Sequence, residues 1–583
     1  MKSLFHRAWG PVGLLLPAPA DLALMSRAPR RDLLAGLTVA IVALPLALGF
    51  GISSGAGAEA GLATAVVAGA LAAVFGGSNL QVSGPTGAMT VVLVPIVAEY
   101  GTSGVLAVGL LAGLMMIALA VARAGRYMSY VPAPVIEGFT LGIAGVIGLQ
   151  QVPSALGVSK PEGGNVVAIA WRAAGVFWHE PDWTAIGLCS GVVAVMLAGA
   201  RWRPAVPFSL IAVIAATVAG KALHLDAGTI GHLPSGLPAP SLGFVHPSEV
   251  PSLLAPAVAV AALAALESLM SASAADAMSV GQRHDSDKEL FGQGLANIAA
   301  PLFGGVAATG AIARTAVNVR SGATSRLAAL THAGVLAVIV FAAAPLVSGI
   351  PLAALAGVLI ATASRMVEVG SLRAMARATR SDAIILVLTA AATLALDLVK
   401  AVLIGMAVAG ALALRAVARQ TRLDRVPLAR GDHTAEEHTL LAEHIVAYRI
   451  DGPLFFAAAH RFLLELTDVA DVRVVILRMS RVSTIDATGA LVLKDAVDKL
   501  TRRGIVVMAS GVRPGQLRTL DSLGVLDMLR AEGRVHATTP DAIRAARIHL
   551  HHTGVLPVGP LPPAGAGGGS PATTSPAVEE SVR

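Results

Sequence analysis

The chain has 583 residues, of which 55% are Ala, Val, Ile, Leu, Met, Phe, Trp, Tyr or Cys, 14% are charged and 4% are aromatic, with a formal charge of +7. Soluble domains run nearer to about 45–50% apolar and about 25% charged, so a soluble enzyme and a disordered chain are both excluded. A single cysteine, Cys189, excludes a disulfide scaffold.

Residues 1–31 carry Lys2, Arg7, Arg27, Arg30 and Arg31 and read as a cytoplasmic leader. The apolar stretch 9–16 with Ala18-Pro19-Ala20 after it has the look of a signal peptide. It is short and broken by prolines, however, and cleavage would leave the arginine cluster outside, against the positive-inside tendency. Residues 32–420 then form a series of apolar stretches, expected at 33–51, 59–76, 84–98, 103–123, 131–150, 184–200, 203–223, 252–276, 289–304, 309–319, 327–349, 351–366, 382–396 and 398–418. Each approaches the roughly 20 residues that cross a bilayer, and the third and tenth are the shortest and most interrupted by glycine. Loops after even-numbered spans hold Arg123, Arg126, Arg201, Arg203, Arg283, Lys288, Arg320, Arg326, Arg365, Arg373, Arg377 and Arg380, whereas the others hold only Lys160, Arg172, Lys221 and Lys400. This asymmetry predicts a multi-pass protein of the cell membrane with fourteen spans and both termini in the cytoplasm. The positive charge is therefore topological; lipid is the expected surrounding, and no nucleic-acid partner is expected.

Gly61, Ala65, Gly69 and Ala73 line one face of the second span, and Gly138, Gly142 and Gly145 one face of the fifth; small residues so spaced let helices approach closely. Residues 151–183, with Trp171, Trp178 and Trp183, read as a loop with interfacial aromatics. A linker is expected over 421–439. Residues 440–548 change composition and predict a small soluble α/β domain, with strands at 445–450, 472–477 and 505–509 and helices at 487–500 and 514–523. Residues 549–583 are expected to form a disordered tail, rich in Pro, Gly, Ala, Ser and Thr from about 554 onward. His549, His551 and His552 read as a solvated helix end rather than a metal site.

Two segments of the membrane part repeat one pattern. Phe75-Gly76-Gly77 precedes Gly84-Pro85-Thr86-Gly87-Ala88-Met89, and Phe303-Gly304-Gly305 precedes Ala308-Thr309-Gly310-Ala311-Ile312. Spans three and ten lie seven apart, which implies two seven-span halves, the second inverted. Short broken helices at matching places of an inverted repeat point to a transporter's binding site. A helix that begins in mid-membrane exposes unpaired N–H groups and its positive end, and two such ends facing each other make an anion site. Gly84, Thr86, Gly87 and Ala88, with Thr309, Gly310 and Ala311, are the expected backbone donors. The plain alternative is a pair of ordinary kinks.

Charges inside spans are the next signal. Glu267 lies deep in the eighth span, where a carboxylate is costly; it is a candidate proton carrier, or, with Ser271 one turn on, a source of oxygens for a small cation such as sodium. The alternative is a structural ion pair. Asp276 and Glu137 read as structural. Arg314, about one turn into the tenth span, either adds positive charge to the anion site or snorkels to the interface, as Arg320 and Arg326 are expected to do.

The segments 82–90, Ala265-Leu266-Glu267-Ser268-Leu269 and Gly292-Gln293-Gly294-Leu295-Ala296-Asn297 resemble the SulP family, solute carrier family 26. Residues 448–456 and 483–490 resemble its STAS domain. The resemblance implies a polytopic α-helical protein of fourteen spans in a 7+7 inverted repeat, with core and gate domains like those of the nucleobase permeases. It implies an anion held between spans three and ten, a homodimer with STAS contact, and sulfate, bicarbonate, chloride or dicarboxylate as substrate. Arg314 matches a position where some members place a cation. Glu267 matches an acidic position used for proton coupling, or, as Asp in the bicarbonate branch, for sodium. Residues 55–62 are similar to that bicarbonate branch, and 298–314 to C4-dicarboxylate carriers. In related STAS loops a phosphorylated Ser or Thr precedes the Gly, and Thr488 stands there; the alternative is a helix-capping Thr. The expected function is secondary active anion transport without a cofactor, with Glu267 neutralising Arg314 until the coupling proton arrives. A C4-dicarboxylate/proton symporter, a nucleobase permease and a non-transporting anion sensor signalling through STAS are the other readings. No nucleophile motif, metal cluster or P-loop supports catalysis.

Overall fold

The computed structural model describes residues 15–17, 19–161, 165–203, 206–225, 227–231, 233, 236–279, 282–396, 398–419, 422–426, 443–455 and 472–556. The leader up to 14, the linker at 421 and 427–439, Phe456 and the tail beyond 556 lie outside the described residues. The chain divides into two compact units, with the boundary in sequence after Gly410.

The first unit is helical, and eight of its described helices are long and apolar enough to cross a membrane. The main helices of the membrane part, long and short together, are in order α1 (Pro29–Ser54), α2 (Ala58–Phe75), α3 (Gly87–Val121), α4 (Ala133–Ala155), α5 (Val166–His179), α6 (Trp183–Trp202), α7 (Phe208–Ala222), α8 (Val250–Met278), α9 (Ser286–Leu302), α10 (Ile312–Arg320), α11 (Leu327–Ala342), α12 (Leu352–Met366), α13 (Arg380–Ala395) and α14 (Leu398–Arg419). Two-residue strands β1 (Ser83–Gly84) and β2 (Thr309–Gly310) precede α3 and α10. Each expected span has a helical counterpart. Spans three and four are the two halves of α3, divided at Gly101, whose φ of 68° and ψ of −172° leave the helix. A left-handed φ favours glycine, and a Cβ there would touch nothing, so the requirement is purely conformational.

The helices pack as two bodies. Spans 1–4 interlock with 8–11: α9 lies along α3 and α2, α8 along α3, and α11 along α1 and α2. Spans 5–7 interlock with 12–14: α4 lies on α13 and α12, and α12 on α6. Small residues set these crossings. A Cβ on Gly113 of α3 would stand 2.6 Å from the Gly294 carbonyl of α9, and one on Gly138 of α4 would stand 2.5 Å from the Leu386 carbonyl of α13.

Three sequence expectations need correction. Residues 151–183 are not wholly loop: Asn165 caps α5, although Trp171 and Trp178 are exposed as expected at an interface. A further short helix, Val369–Ala378, joins α12 to α13, and Ser371 donates to Glu137 of α4 at 2.9 Å. Arg326 is not interfacial. It is buried, and it donates to Asn79 Oδ1 at 2.8 Å and to the Val74 carbonyl at 2.6 Å, pinning the start of α11 to the end of α2.

The second unit holds a mixed sheet. Its strands β3 (Arg422–Val426), β4 (Ile445–Leu454), β5 (Val474–Arg478), β7 (Val506–Ser510) and β8 (Val535–His536) lie in that order, and β6 (Val482–Ile485) also pairs with β4. Only β3 is antiparallel. Helices α15 (Ala487–Arg502), α16 (Pro514–Ser522), α17 (Val525–Arg530) and α18 (Thr539–His552) cover it. Ile450, Val475, Val507, Leu493 and Leu526 form a core on one face; Ile476, Met508, Ala546 and Leu550 form one on the other. The sheet is thus buried on both faces, which is why its central strands read as unbroken apolar runs. Helix α18 carries the domain past 548, where the sequence reading ended it, and the three histidines occupy its last turn.

Candidate functional site: two half-helices on a two-stranded crossing

Helix α10 has nine residues, about 14 Å of rise, against about 30 Å of bilayer core. It is too short to cross by itself, as is the first half of α3, from Gly87 to the break at Gly101. Antiparallel pairing of β1 with β2 brings the two starts together: Ser83 faces Gly310 and Gly84 faces Thr309. The Ala311 N–H adds a bond to the Val82 carbonyl at 2.9 Å. Thr86 caps α3, its hydroxyl accepting from the Met89 N–H at 3.4 Å. Helix α10 has Ala311 at its N-cap and no side-chain cap. The first N–H groups of each helix, at Gly87 and Ala88 and at Ile312 and Ala313, have no carbonyl one turn behind them. The repeat is imperfect, because Thr-Gly-Ala straddles the start of α3 but precedes the start of α10.

Glu267 sits at this junction. Its Oε2 accepts from Thr86 Oγ1 at 2.9 Å and from Thr309 Oγ1 at 2.7 Å, and the two hydroxyls are 3.2 Å apart. One carboxylate thus touches both halves of the repeat. Next along α8, Ser268 accepts the Gly310 N–H at 3.0 Å. Gly310 has no room for a side chain, since a Cβ would lie 3.1 Å from Ser268 Cα and overlap the Gln81 amide. Gly87 is similarly pressed by Ile147 of α4.

Arg314 does not snorkel. It is 2% exposed, and its Nη2 donates to the Pro85 carbonyl at 2.5 Å. Its Nη1 has no hydrogen-bond partner and lies 2.7 Å from where a Cβ on Gly84 would be. The guanidinium of the second repeat therefore rests beneath the lead-in to the first. Arg314 and Glu267 attract each other, although among the described residues no ion pair within 4.0 Å joins them. Buried His332 of α11 also feels the Arg314 charge, and neither of its ring nitrogens is partnered.

Ser271 is placed otherwise than expected. Its hydroxyl is buried 3.0 Å from Thr315 Oγ1, which in turn accepts the Val82 N–H at 3.0 Å. It braces α10 and the strand crossing. Asp276 pairs with His284 at 2.7 Å. Thr488 is exposed at the second position of α15, and Asp486, not Thr488, caps that helix by accepting the Gly489 N–H at 2.7 Å. Among the described residues no group of three His, Cys, Asp or Glu is arranged to hold a metal.

The supporting shell was not anticipated. Glu289 of α9 is buried, and its Oε2 accepts the N–H groups of Gly77 and Ser78 at 2.9 and 3.1 Å. Its Oε1 accepts from Gln81 and Gln293 at 2.9 and 3.0 Å. Gln293 also reaches Ser83 of β1 at 2.5 Å, while Asn297 exchanges two hydrogen bonds with Ala308 at 2.8 and 2.9 Å. The signal was present in the sequence as Gln293 and Asn297, two amides four apart in an apolar span.

Two family models match the chain: the sulfate permease family over residues 30–389 and the STAS domain over 439–542. The putative sulfate transporter YvdB of Bacillus subtilis is 35% identical over 512 residues, covering 85% of this chain and 94% of that protein. The bicarbonate transporter BicA of Synechocystis is 31% identical over 536 residues, covering 89% and 94%. The solved structure of SLC26A9 shares the fold with a TM-score of 0.77 over 95% of each chain, at 17% identity.

Proposed function

Because the chain belongs to the sulfate permease family, we propose that it is a secondary active carrier of small anions, taking sulfate or bicarbonate as cargo and a coupling ion at Glu267. The family is one of transporters, not enzymes, and the chain is a multi-pass membrane transporter. The observation that carries the site assignment is the contact of Glu267 Oε2 with hydroxyls from both half-helices. Each helix start presents about half a positive charge and free N–H donors, which suits an anion. Arg314 adds a full charge from below. A proton on Glu267 removes the negative charge at the junction, so a proton bound there favours binding of the cargo and the two are carried in one cycle. Movement of the body of spans 1–4 and 8–11 against the other, with the cargo held on the half-helices, gives alternating access.

A second reading rests on the same triangle. Glu267 Oε2, Thr86 Oγ1 and Thr309 Oγ1 are three oxygens within 2.7–3.2 Å of one another, a partial shell for sodium. A C4-dicarboxylate as cargo fits the same helix ends with a proton as partner. The arginine-rich loops support placing both termini in the cytoplasm. The carrier acts as a homodimer with contact through the STAS domain, and exposed Thr488 at a helix start suits regulation by a phosphate.

The test is uptake of labelled sulfate, bicarbonate and succinate into proteoliposomes under an imposed proton or sodium gradient. One gradient is expected to drive accumulation in the wild type and to have no effect on Glu267→Gln. Wild-type accumulation by the variant would remove Glu267 from coupling.

A further inference from the structure

An open cleft of about 520 Å³ lies beside the site. Its wall includes Ile312, the first residue of half-helix α10, and Met270, Ser273 and Ala274 of α8. These three stand one to two turns beyond Glu267, and Ala274 is on the Glu267 face of the helix at i+7. Met270, the lining residue nearest to Glu267 in sequence, stands three residues from it along α8, about 4.5 Å of rise. Gly125, Arg126, Ile136, His284 and Ser286 complete the wall. Arg126, His284 and Ser286 belong to loops, or the loop end of α9, that the arginine pattern assigns to the cytoplasm.

His284 is held in a chain of three groups within this wall. Both its backbone N–H and its ring Nδ1 meet the Asp276 carboxylate, at 3.1 and 2.7 Å. Its Nε2 is 3.1 Å from Ser286 Oγ. A carboxylate only accepts, so Nδ1 carries a proton, and in the neutral ring Nε2 then presents its lone pair. The ring is 12% and Asp276 25% exposed, so both are shielded yet reachable. The charged groups near the ring are Asp276 on α8, Arg126 in the same wall, and Glu289 and Asp287 on α9, with Arg283, Asp285 and Lys288 beside it in sequence. Asp287 is engaged by the Gly125 N–H at 3.0 Å and Glu289 by its four donors.

We propose that the Asp276–His284 pair is the cytoplasmic proton port of the carrier, passing protons along the cleft between bulk water and Glu267. A proton from the cytoplasm bonds to His284 Nε2, and the resulting imidazolium is balanced by Asp276. The N–H bond then breaks toward cleft water, and a water O–H gives its proton to Glu267 as the Oε–H bond forms. In export of the proton the same bonds reverse. Ser286 turns its hydroxyl from donor to acceptor as Nε2 is loaded, so the chain stays hydrogen-bonded in both states. This inference rests on proton coupling at Glu267.

Inside-out membrane vesicles bearing the full chain expose this face to the bath. The readout is uptake of labelled sulfate or bicarbonate, whichever the wild type carries, against bath pH, with anion exchange at matched pH as the control for folding. His284→Asn and Asp276→Asn are expected to slow proton-linked flux by about tenfold or more, within the range of a positioned acid–base group. Exchange is expected to change less than about twofold, because the anion site is untouched. Imidazole in the bath is expected to restore proton-linked flux to His284→Ala, which a structural role would not allow. Unchanged proton-linked flux in His284→Asn, or equal loss of exchange, or no rescue by imidazole, overturns the port. A wild type whose flux ignores the proton gradient overturns proton coupling at Glu267 and the port with it; a coupled wild type with an indifferent His284 variant overturns the port alone.

Discussion

A carboxylate in a membrane protein is informative according to what it touches. Glu267 touches two hydroxyls and Glu289 four N–H donors, and the difference separates a site from its scaffold. Glu289→Ala leaves those neutral donors unpaired in the interior and is expected to cost about 1–3 kcal/mol for each one that finds no new partner, read as a fall in thermal stability of the detergent-solubilised protein. Glu267→Gln keeps a hydrogen-bonding head and is expected to cost far less. Glu267 and Arg314 were legible because a lone charge stands out in an apolar run. The partnership of Glu289 with Gln81 was not legible, because the two are 208 residues apart in sequence. The same holds for Ser271: its neighbour at i−4 is evident in sequence, its hydrogen-bond partner Thr315 is not.

At the level of elements, glycine serves two separate ends in α3. Gly101 supplies a positive φ with an extended ψ and open space around it, so Gly101→Ala is expected to cost about 1–3 kcal/mol and no packing. Gly113 supplies closeness: a Cβ there would meet the backbone of Gly294 and Ile298, so Gly113→Val is expected to separate α3 from α9 and abolish folded yield on size exclusion. The half-helices were readable from the repeated Thr-Gly-Ala, since that pattern needs no distant partner. The two-residue strands that join them were not, being too short for any alternation to register. Helix α5 escaped notice because its 14 residues fall short of a span.

For the whole molecule, the composition break after 420 is the boundary a reader of the sequence finds most easily, since apolar and charged residues change together there. The second unit has its own cores on both sheet faces, so the segment 439–556 is expected to fold alone with one cooperative transition by circular dichroism. Within it, Asp486→Ala is expected to lower stability by about 1 kcal/mol through loss of the α15 cap, whereas exposed Thr488→Ala is expected to shift it by less than half of that. The separation of the helical unit into two interlocked bodies was foreseen only through the family resemblance, because contacts such as α4 with α13 join halves of the chain that no local pattern connects.

The hydroxyls of Thr86 and Thr309 are rotors, each with one hydrogen to aim, and both now aim at the same oxygen. While that oxygen is anionic it monopolises them. Under the proposed coupling, neutralising it releases both hydrogens to swing toward an arriving solute. Loading is then sequential: the partner ion first, the solute second, with departure in the opposite sequence.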